Sequence, residues 1–341
     1  MKIAQIIPSL APTGPVNVAL DLTHLFREMG HEVQLFYFDE KEGAVSDSGA
    51  VQIGFNEKRD WSKFDIVHSH GLRPDVYVWR NYKQMPPAVS TLHNYLKDDL
   101  KFQYNPIIAA VFSPVWNWAC ARHKANVVLS HHMKSYYSRF WRNKNIEVIP
   151  NTRVIDLQPN PNRIEEIKKI AEGRKVLGSI STVNPRKGVN QVLPFLAQNP
   201  DWVYVHVGGG QLDDLKAEAA KLKVIDRCHF IGPQKQGWQY APGFDVFILP
   251  SLSEGFPLSL IEAIQLGVPV VCSDIPVFRE IFSESEVSLF TLNDTDSLSN
   301  AVLRTYAQKD NFVQNALARF QREYSPQVVA EKYLQLYRSI V

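Results

Sequence analysis

Short apolar runs alternate with amphipathic segments along most of this 341-residue chain. Apolar runs bounded by polar loops are typical of parallel strands that helices cover on both faces. The strands predicted in this way are Lys2–Ile7, His31–Tyr37, Asp65–Gly71, Ala88–Leu92, Val127–Ser130, Ile146–Asn151, Arg174–Ile180, Trp202–Val207, Cys228–Pro233, Asp245–Leu249 and Val268–Cys272. The predicted helices are Val16–Met29, Val189–Ala197, Leu212–Leu222, one from Pro257 or Leu258 to Leu266, Ser297–Tyr306, Asp310–Arg322 and Ser325–Tyr337. Strands and helices in this order indicate an α/β fold with doubly wound sheets.

The stretch from Leu249 to Asp274 predicts a binding site. It reads as a strand, a polar loop, a helix and a second strand. Pro257 fits the first turn of the helix, because its missing N–H would have no partner there, and Gly267 is a natural end. Ligands of such sheets bind at the carboxyl ends of the strands, where a helix N-terminus offers free N–H groups and partial positive charge. We therefore expect a phosphate or a sugar hydroxyl to bind here.

Composition narrows the class of protein. With 45% hydrophobic and 21% charged residues, the chain is close to an average globular protein, and its length suits two domains. A formal net charge of +2 argues against a dedicated nucleic-acid binder. The three cysteines are odd in number and far apart, without disulfide-framework or zinc spacing, which favours a reducing compartment.

The hydropathy of the chain bears on localisation. The apolar run after Met1 is too short for a signal peptide. No run approaches the length needed to span a bilayer. We therefore expect a cytoplasmic protein, with association with the inner face of the cell membrane as an option.

Two glutamates mark the edge of the predicted binding site. Glu254 lies in the loop, and Glu262 follows eight residues later in the helix, within the block SEGFPLSLIEAIQLGVPVV. A lone Glu-x7-Glu pair is common on charged helices, but the whole block closely resembles the signature of the retaining family 4 glycosyltransferases. The resemblance covers essentially the whole chain and is strongest from 176 to 274.

This resemblance implies the GT-B fold, in which two Rossmann-like doubly wound domains face each other across a cleft. An N-terminal domain (1–155) would bind the acceptor, and a C-terminal domain (156–324) would bind the nucleotide-sugar. A closing helix (325–341) would cross back to the N-terminal domain. The proline- and asparagine-rich stretch 156–162 is predicted to be the linker.

The implied function is that of a retaining glycosyltransferase. It would move a sugar from a nucleotide-diphosphate sugar, by default a UDP-sugar, to a saccharide or lipid-linked acceptor. Surface polysaccharide or lipopolysaccharide-type biosynthesis would be the setting. We expect no cofactor beyond this co-substrate, and no metal, because no Asp-x-Asp with supporting ligands occurs in the sequence.

The resemblance also assigns roles around the two glutamates. Glu254 would place the donor sugar through its hydroxyls and is a candidate catalytic residue, while Glu262 would bind the nucleotide ribose. Further donor contacts would come from the start of the helix, at Phe256, Pro257 and Leu258.

A second donor-binding loop is predicted after the strand Arg174–Ile180. Lys187 matches the family's Lys-Gly pair and would meet the diphosphate. The arginine usual five residues earlier is Thr182 here, so either Arg186 compensates or the diphosphate rests more heavily on Lys187. Gly209, in the next glycine-rich loop, would let backbone approach the donor.

The first half supplies two further candidates. His93 follows the predicted strand Ala88–Leu92 and resembles the family's histidine beside the donor sugar, which makes it the second candidate catalytic residue. Gly14 either lets backbone N–H groups approach the donor or belongs to a plain tight turn. His68 and His70 are weaker candidates, since no further ligands complete a metal site with them.

The segment 100–146 holds no acidic residue and mixes basic with aromatic side chains. Its basic residues are Lys101, Arg122, Lys124, Lys134, Arg139, Arg142 and Lys144, and its aromatic residues are Phe102, Tyr104, Phe112, Trp116, Trp118, Tyr136, Tyr137, Phe140 and Trp141. This composition suits an anionic membrane surface or an anionic acceptor, unless the aromatics are core and the bases an ordinary solvated face. Nucleic acid is not an expected partner, because no recognised binding motif accompanies the basic residues.

Three other functions remain open at this point. A sugar-nucleotide 2-epimerase would need no acceptor, and a phosphorylase-like enzyme would use inorganic phosphate. A non-catalytic sugar-nucleotide-binding protein would turn over no donor. Donor consumption with and without an acceptor distinguishes all of them from a glycosyltransferase.

Overall fold

The computed structural model describes residues 1–40, 47, 49–95, 106–141 and 145–341. The chain forms two compact units, of which the first comprises Met1–Val154 and Glu323–Val341 and the second Ile155–Arg322. Each unit contains one sheet whose strands pair in parallel. The predicted α/β class with two Rossmann-like domains is confirmed, while the functions assigned to the two halves stay predictions.

The strand bounds show which loops meet at the carboxyl edge of each sheet. The first-unit sheet has the order β3-β2-β1-β4-β5-β6-β7 and the second-unit sheet the order β10-β9-β8-β11-β12-β13. The strands are β1 (Lys2–Ser9), β2 (Glu32–Asp39), β3 (Val51–Gln52), β4 (Ile66–His70), β5 (Ala88–Leu92), β6 (Ala125–Val128), β7 (Ile146–Val148), β8 (Lys175–Ile180), β9 (Trp202–Val207), β10 (Cys228–Gly232), β11 (Val246–Leu249), β12 (Val270–Ser273) and β13 (Ser288–Phe290).

Helices follow most of these strands. They are α1 (Gly14–Glu28), α2 (Leu72–Asn81), α3 (Pro106–Cys120), α4 (His131–Ser138), α5 (Pro161–Ala171), α6 (Val192–Gln198), α7 (Leu212–Lys221), α8 (Leu258–Gln265), α9 (Pro276–Ile281), α10 (Thr295–Ala307), α11 (Lys309–Glu323) and α12 (Pro326–Ile340). Across the described ranges, none of them is both long enough and apolar enough to cross a membrane.

Several element boundaries differ from the sequence pattern. The predicted linker 156–162 is too long, because α5 already begins at Pro161, where the Asn160 side chain accepts hydrogen bonds from the next free amides. The helix predicted from Val189 starts as a 3-10 turn, and its α-helical part begins at Val192. The periodicity also missed five helices, namely α2, α3, α4, α5 and α9, most of which are short.

The closing helix α12 packs on the first unit through two buried tyrosines. The Tyr337 ring meets Phe26 of α1 edge-on at 5.7 Å. Its hydroxyl lies 2.6 Å from Nδ1 of His68, and His68 Nε2 lies 2.7 Å from the Thr91 hydroxyl. The Tyr333 hydroxyl is 3.1 Å from the same Thr91 oxygen. Polar groups buried in this way are costly unless paired, so the network fixes where α12 docks.

We expect the Tyr337→Phe variant to be less stable than the wild type by about 1–3 kcal/mol, because Nδ1 of His68 then stays buried without a partner. Urea denaturation followed by circular dichroism measures the difference. Tyr82→Phe is the matched control, since Tyr82 is 41% exposed, and it should change stability by about 0.5 kcal/mol or less. Equal stability of the two variants would show that the hydroxyl of Tyr337 does not hold α12.

Candidate active site

Most of the predicted donor-site residues come together at the carboxyl edge of the second-unit sheet. Strand β8 lies between β9 and β11, so the loops after these three strands are neighbours. Backbone hydrogen bonds join them: the Leu252 N–H donates to the Arg186 carbonyl at 2.8 Å, and the Val183 N–H donates to the Gly209 carbonyl at 2.7 Å. The backbone itself therefore assembles this edge.

Glu254 is the centre of the arrangement, and only 6% of it is exposed. One carboxylate oxygen lies 2.6 Å from the Lys187 ammonium and accepts a hydrogen bond from the Ser251 hydroxyl at 2.6 Å. The other oxygen accepts from the Arg186 guanidinium at 3.0 Å. Burial alone would raise the pKa of Glu254, but Lys187 and Arg186 outweigh that effect and hold the pKa below its ordinary value. Glu254 is therefore an anion at neutral pH.

Lys187 is held in position by its own loop. The Asn184 side chain accepts a hydrogen bond from the Lys187 N–H, which caps a 3-10 turn. Gly188 follows with a φ of +58°, and a Cβ there would lie 2.3 Å from the Pro250 carbonyl oxygen. The Gln191 amide donates to that same oxygen at 2.9 Å. Gln191 thus joins the two loops, while Ser251 holds Glu254 within its own loop. Neither residue belongs to a motif by which the sequence pattern could have identified it.

The glycine-rich loop after β9 packs backbone against backbone. A Cβ on Gly208 would lie 1.8 Å from the Ser181 carbonyl oxygen, and one on Gly210 would lie 2.2 Å from the Val183 carbonyl oxygen. These glycines are needed for contact between two loops, whereas Gly209 would meet only a side chain, that of Pro233. A donor contact at Gly209 remains a prediction.

A buried histidine of β9, His206, supports the neighbouring loop after β8. Nε2 of His206 lies 3.0 Å from the Ser181 carbonyl oxygen, and Nδ1 lies 2.8 Å from the Ser179 hydroxyl. Burial lowers the pKa of His206 to about 4, so the ring is neutral. Since a carbonyl only accepts, Nε2 carries the proton and donates to Ser181. A histidine inside a strand carries no signal of its own, so the role of His206 is not evident from the sequence.

Helix α8 begins at the same edge, next to Glu254. Pro257 precedes it at the cap position and supplies no side-chain acceptor, and no acidic residue lies in the first turn. Phe256 and Glu262 are buried, while Leu258 is partly exposed. The first-turn amides therefore add partial positive charge beside Lys187 and Arg186.

The first-unit candidates lie at the carboxyl edge of the other sheet. His93 comes directly after β5, and its Nε2 is 3.2 Å from Nδ1 of His70. His68 and His70 are fully buried and hydrogen-bonded. Within the part of the chain that the structure describes, no group of three or more His, Cys, Asp or Glu side chains could hold a metal ion. Metal independence itself stays a prediction.

Gly14 is the first residue of α1, after Thr13 at the cap position. The Thr13 side chain makes no capping hydrogen bond, and Gly14 is not among the residues with positive φ. Its conformation therefore does not require glycine, and ligand approach at this position stays a prediction.

The segment 100–146 divides into core and surface. Residues 100–105 and 142–144, with Lys101, Phe102, Tyr104, Arg142 and Lys144, lie outside the described residues. Three of the predicted aromatics, Trp116, Tyr137 and Trp141, are buried and belong to the core. Trp118 and Phe140 are 53% and 54% exposed. The basic aromatic surface is therefore smaller than the sequence suggested.

Comparisons with known proteins identify the family of both halves of the chain. The family model described as "Glycosyl transferases group 1" matches residues 161–321, and "Glycosyltransferase Family 4" matches residues 12–156. The chain is 28% identical over 355 residues to an Escherichia coli protein named O-antigen biosynthesis glycosyltransferase WclY, with 100% of this chain and 99% of the relative covered.

A second relative and a solved structure are also similar to this chain. An Escherichia coli UDP-Gal:alpha-D-GlcNAc-diphosphoundecaprenol alpha-1,3-galactosyltransferase is 26% identical over 273 residues, which cover 72% of this chain and 67% of the relative. The solved structure of Anabaena HepE in complex with UDP-glucose superposes with a TM-score of 0.83 at 18% identity, covering 99% of this chain and 100% of that one. The latter similarity bears on the fold.

A double-mutant cycle tests the pairing of Lys187 with Glu254. Lys187→Met should lower the free energy of unfolding by about 1–3 kcal/mol, because a buried carboxylate oxygen loses its cation. Glu254→Gln should also destabilise, but the double variant should cost less than the sum of the two, by about 1–2 kcal/mol. Urea denaturation of all four proteins provides the energies.

The surface pair Arg174–Glu172 is the control for this cycle. These side chains are 42% and 73% exposed and their charged atoms lie 3.7 Å apart. Their coupling energy should stay within about 0.5 kcal/mol. If the Lys187–Glu254 energies were additive in the same way, the buried ion pair would not stabilise the site.

Proposed function

The chain belongs to the family 4 glycosyltransferases, and from this premise we propose that it transfers a sugar from a UDP-sugar to a saccharide or lipid-linked acceptor, with retention of the anomeric configuration. The family membership predicted from the Glu254–Glu262 block is thereby confirmed, and with it the general activity of a glycosyltransferase. The donor, the acceptor and the stereochemistry are the proposal.

The observation that carries the proposal is the convergence of two cations on Glu254 beside the N-terminus of α8. Cleavage of the bond between the anomeric carbon and the diphosphate builds negative charge on the leaving group. Lys187, Arg186 and the first-turn amides of α8 are suited to stabilise that charge. Lys187 has three N–H donors, so it can keep its contact with Glu254 while it binds a phosphate oxygen.

Glu254 acts on the other side of the breaking bond. As an anion it accepts hydrogen bonds from the sugar hydroxyls and favours the positive charge that develops on the sugar ring. Glu262, in the first turns of α8, would bind the ribose. The leaving phosphate could then take the proton of the acceptor during same-face attack, a step that the family resemblance suggests. The contacts of Gly14, Gly209, Phe256, Pro257 and Leu258 with the donor belong to this proposal.

The names of the relatives support the choice of donor and acceptor. O-antigen biosynthesis appears in the name of one relative, and UDP-Gal and a diphosphoundecaprenol-linked saccharide appear in the name of another. The solved structure of similar fold is a complex with UDP-glucose. We therefore propose an acceptor that is a growing surface saccharide or its lipid-linked precursor.

A partly exposed patch on the first unit supports our proposal of contact with an anionic membrane surface. This α2–α3 patch consists of Trp79, Tyr82, Trp118 and Arg122. The Trp79 and Trp118 rings lie 4.4 Å apart, and the Arg122 guanidinium lies 5.2 Å from the Tyr82 ring. Aromatic side chains beside bases are suited to the interface of a membrane that carries anionic lipids.

Binding of nucleotides tests the donor site. UDP at millimolar concentration should raise the melting temperature of the wild type, since a ligand that binds only the folded state stabilises it by about 2.7 kcal/mol at a hundredfold excess over its Kd. The shift should shrink in Lys187→Ala and Glu262→Ala, which lose a diphosphate and a ribose contact. Lys168→Ala and Glu165→Ala on the exposed side of α5 are the matched controls and should keep it.

Turnover then separates the possible activities. With a UDP-sugar and a saccharide acceptor, UDP should be released and NMR should show that the product keeps the donor's anomeric configuration. Loss of donor without an acceptor would indicate an epimerase, and a requirement for inorganic phosphate would indicate a phosphorylase. Stabilisation by UDP without any turnover would support a binding protein instead.

Vesicle sedimentation tests the membrane contact. The wild type should bind phosphatidylglycerol vesicles more tightly than phosphatidylcholine vesicles, and Trp118→Ser with Arg122→Gln should weaken that binding roughly fivefold or more. The matched control, Leu303→Ser with Lys309→Gln, alters exposed residues of the second unit and should bind like the wild type. Equal loss in both double variants would exclude a specific α2–α3 contact.

A further inference from the structure

Three side chains from neighbouring strands form a hydrogen-bonded row at the edge of the first-unit sheet. Gln5 lies on β1, His70 ends β4, and His93 comes directly after β5. The Gln5 amide oxygen is 2.9 Å from Nε2 of His70, and Nδ1 of His70 is 3.2 Å from Nε2 of His93. The rings of the two histidines are stacked, with centroids 5.5 Å apart.

The Gln5 amide determines which atom donates in each hydrogen bond of the row. An amide oxygen only accepts, so His70 carries its proton on Nε2 and leaves a lone pair on Nδ1. His93 must then donate through its own Nε2. A neutral imidazole has one N–H, so Nδ1 of His93 carries a lone pair. These donor and acceptor assignments follow from the orientation of the Gln5 amide in the structure.

The lone pair of His93 has no hydrogen-bond partner in the part of the first unit that the structure describes. Nδ1 of His93 is buried and has no hydrogen-bond partner among the described residues. Buried polar atoms are almost always paired, so an acceptor without a partner among the described residues is a candidate contact for a bound ligand.

Both histidines of the row are neutral. Burial lowers the pKa of His70 well below its ordinary value and that of His93 to about 3. The His68 ring packs against His70 with centroids 4.1 Å apart, and its own nitrogens are engaged by Tyr337 and Thr91. The His70 ring is thus held in place on the side of His68 as well as along the row.

We propose that Gln5 and His70 are positioning residues, which hold His93 as the Nε2–H tautomer so that its Nδ1 accepts a hydrogen bond from a hydroxyl group of a bound sugar. This inference rests on the proposed function and makes the role of His93 more specific. A lone pair attracts a hydroxyl and repels the oxygens of a phosphate or a carboxylate. With so low a pKa, His93 is also a poor base, so it orients a hydroxyl rather than removing its proton.

If the hydrogen bonds of the row ran in the opposite direction, Nδ1 of His93 would be a donor instead of an acceptor. If the Gln5 amide were reversed, its NH2 group would donate to His70, His70 would donate to His93, and Nδ1 of His93 would carry the proton. His93 would then offer a donor, suited to an anion or a carbonyl oxygen. The two arrangements predict different tautomers, which can be measured directly.

NMR of the protein labelled with 15N-histidine distinguishes them without any substrate. The His93 signals are assigned by comparison with His93→Asn. We expect the two-bond 15N–1H pattern of an imidazole protonated on Nε2, with an unprotonated Nδ1, unchanged between pH 6 and 8. A pattern protonated on Nδ1, or a mixture of both tautomers, would overturn the proposal, whatever reaction the enzyme catalyses.

Kinetics then test whether the row acts on the substrate. Gln5→Met and His70→Leu remove an acceptor, and kcat/KM for sugar transfer should fall about five- to tenfold. Gln5→Glu and His70→Asn keep an acceptor in the same direction, and they should recover most of that loss. Melting temperatures are measured in parallel, because a purely structural role would make activity follow stability rather than the presence of an acceptor.

The outcomes separate this inference from the proposed function. If the wild type transfers no sugar from any nucleotide-sugar, the proposed function fails while the NMR result still decides the tautomer. If transfer is present but Gln5→Glu loses as much activity as Gln5→Met, and His70→Asn as much as His70→Leu, the positioning role of the row is wrong.

Discussion

The arrangement of the second unit depends on one buried carboxylate. An anion with 6% exposure is tolerated in a protein interior only when its oxygens are paired. Glu254 obtains Lys187 and Arg186 from the loop after β8 and Ser251 from its own loop. The requirement to neutralise Glu254 therefore holds the two loops together, and the same cations are then in place for a phosphate.

The two sheet edges use opposite electrostatics. At the second-unit edge, full charges and the amides of α8 are concentrated in one place. At the first-unit edge, burial keeps His70 and His93 neutral, and a directed row of hydrogen bonds replaces charge. The first arrangement suits a leaving group that becomes more negative during the reaction, and the second suits an uncharged hydroxyl.

The sequence predicted those parts of the fold and the site that depend on residues close together in the chain. Strand β9 begins and ends where the apolar run does. Glu254 was predicted from its dense sequence block and Lys187 from the Lys-Gly pair, and the structure brings these two side chains into contact. Gln191, His206 and Gln5 were missed because each acts through a partner far away in the chain, which only the folded backbone brings near. Ser251 bonds a carboxylate in its own loop and was missed because a lone serine in a loop carries no signal of its own. The surface of 100–146 was overestimated for a related reason, since composition does not distinguish a buried Trp116 from an exposed Trp118.

The contact between the loops after β8 and β9 is made by backbone atoms, so the loop conformation does not depend on the side chain of Thr182. Gly208 and Gly210 meet the carbonyl oxygens of Ser181 and Val183 without any side chain between them. Thr182, which lies between those two residues and is exposed, can therefore change its side chain while the backbone around it stays where it is. The group offered to a ligand at this position can therefore vary at little structural cost, which is a physical reason why threonine is compatible with the position that the family resemblance gives to an arginine.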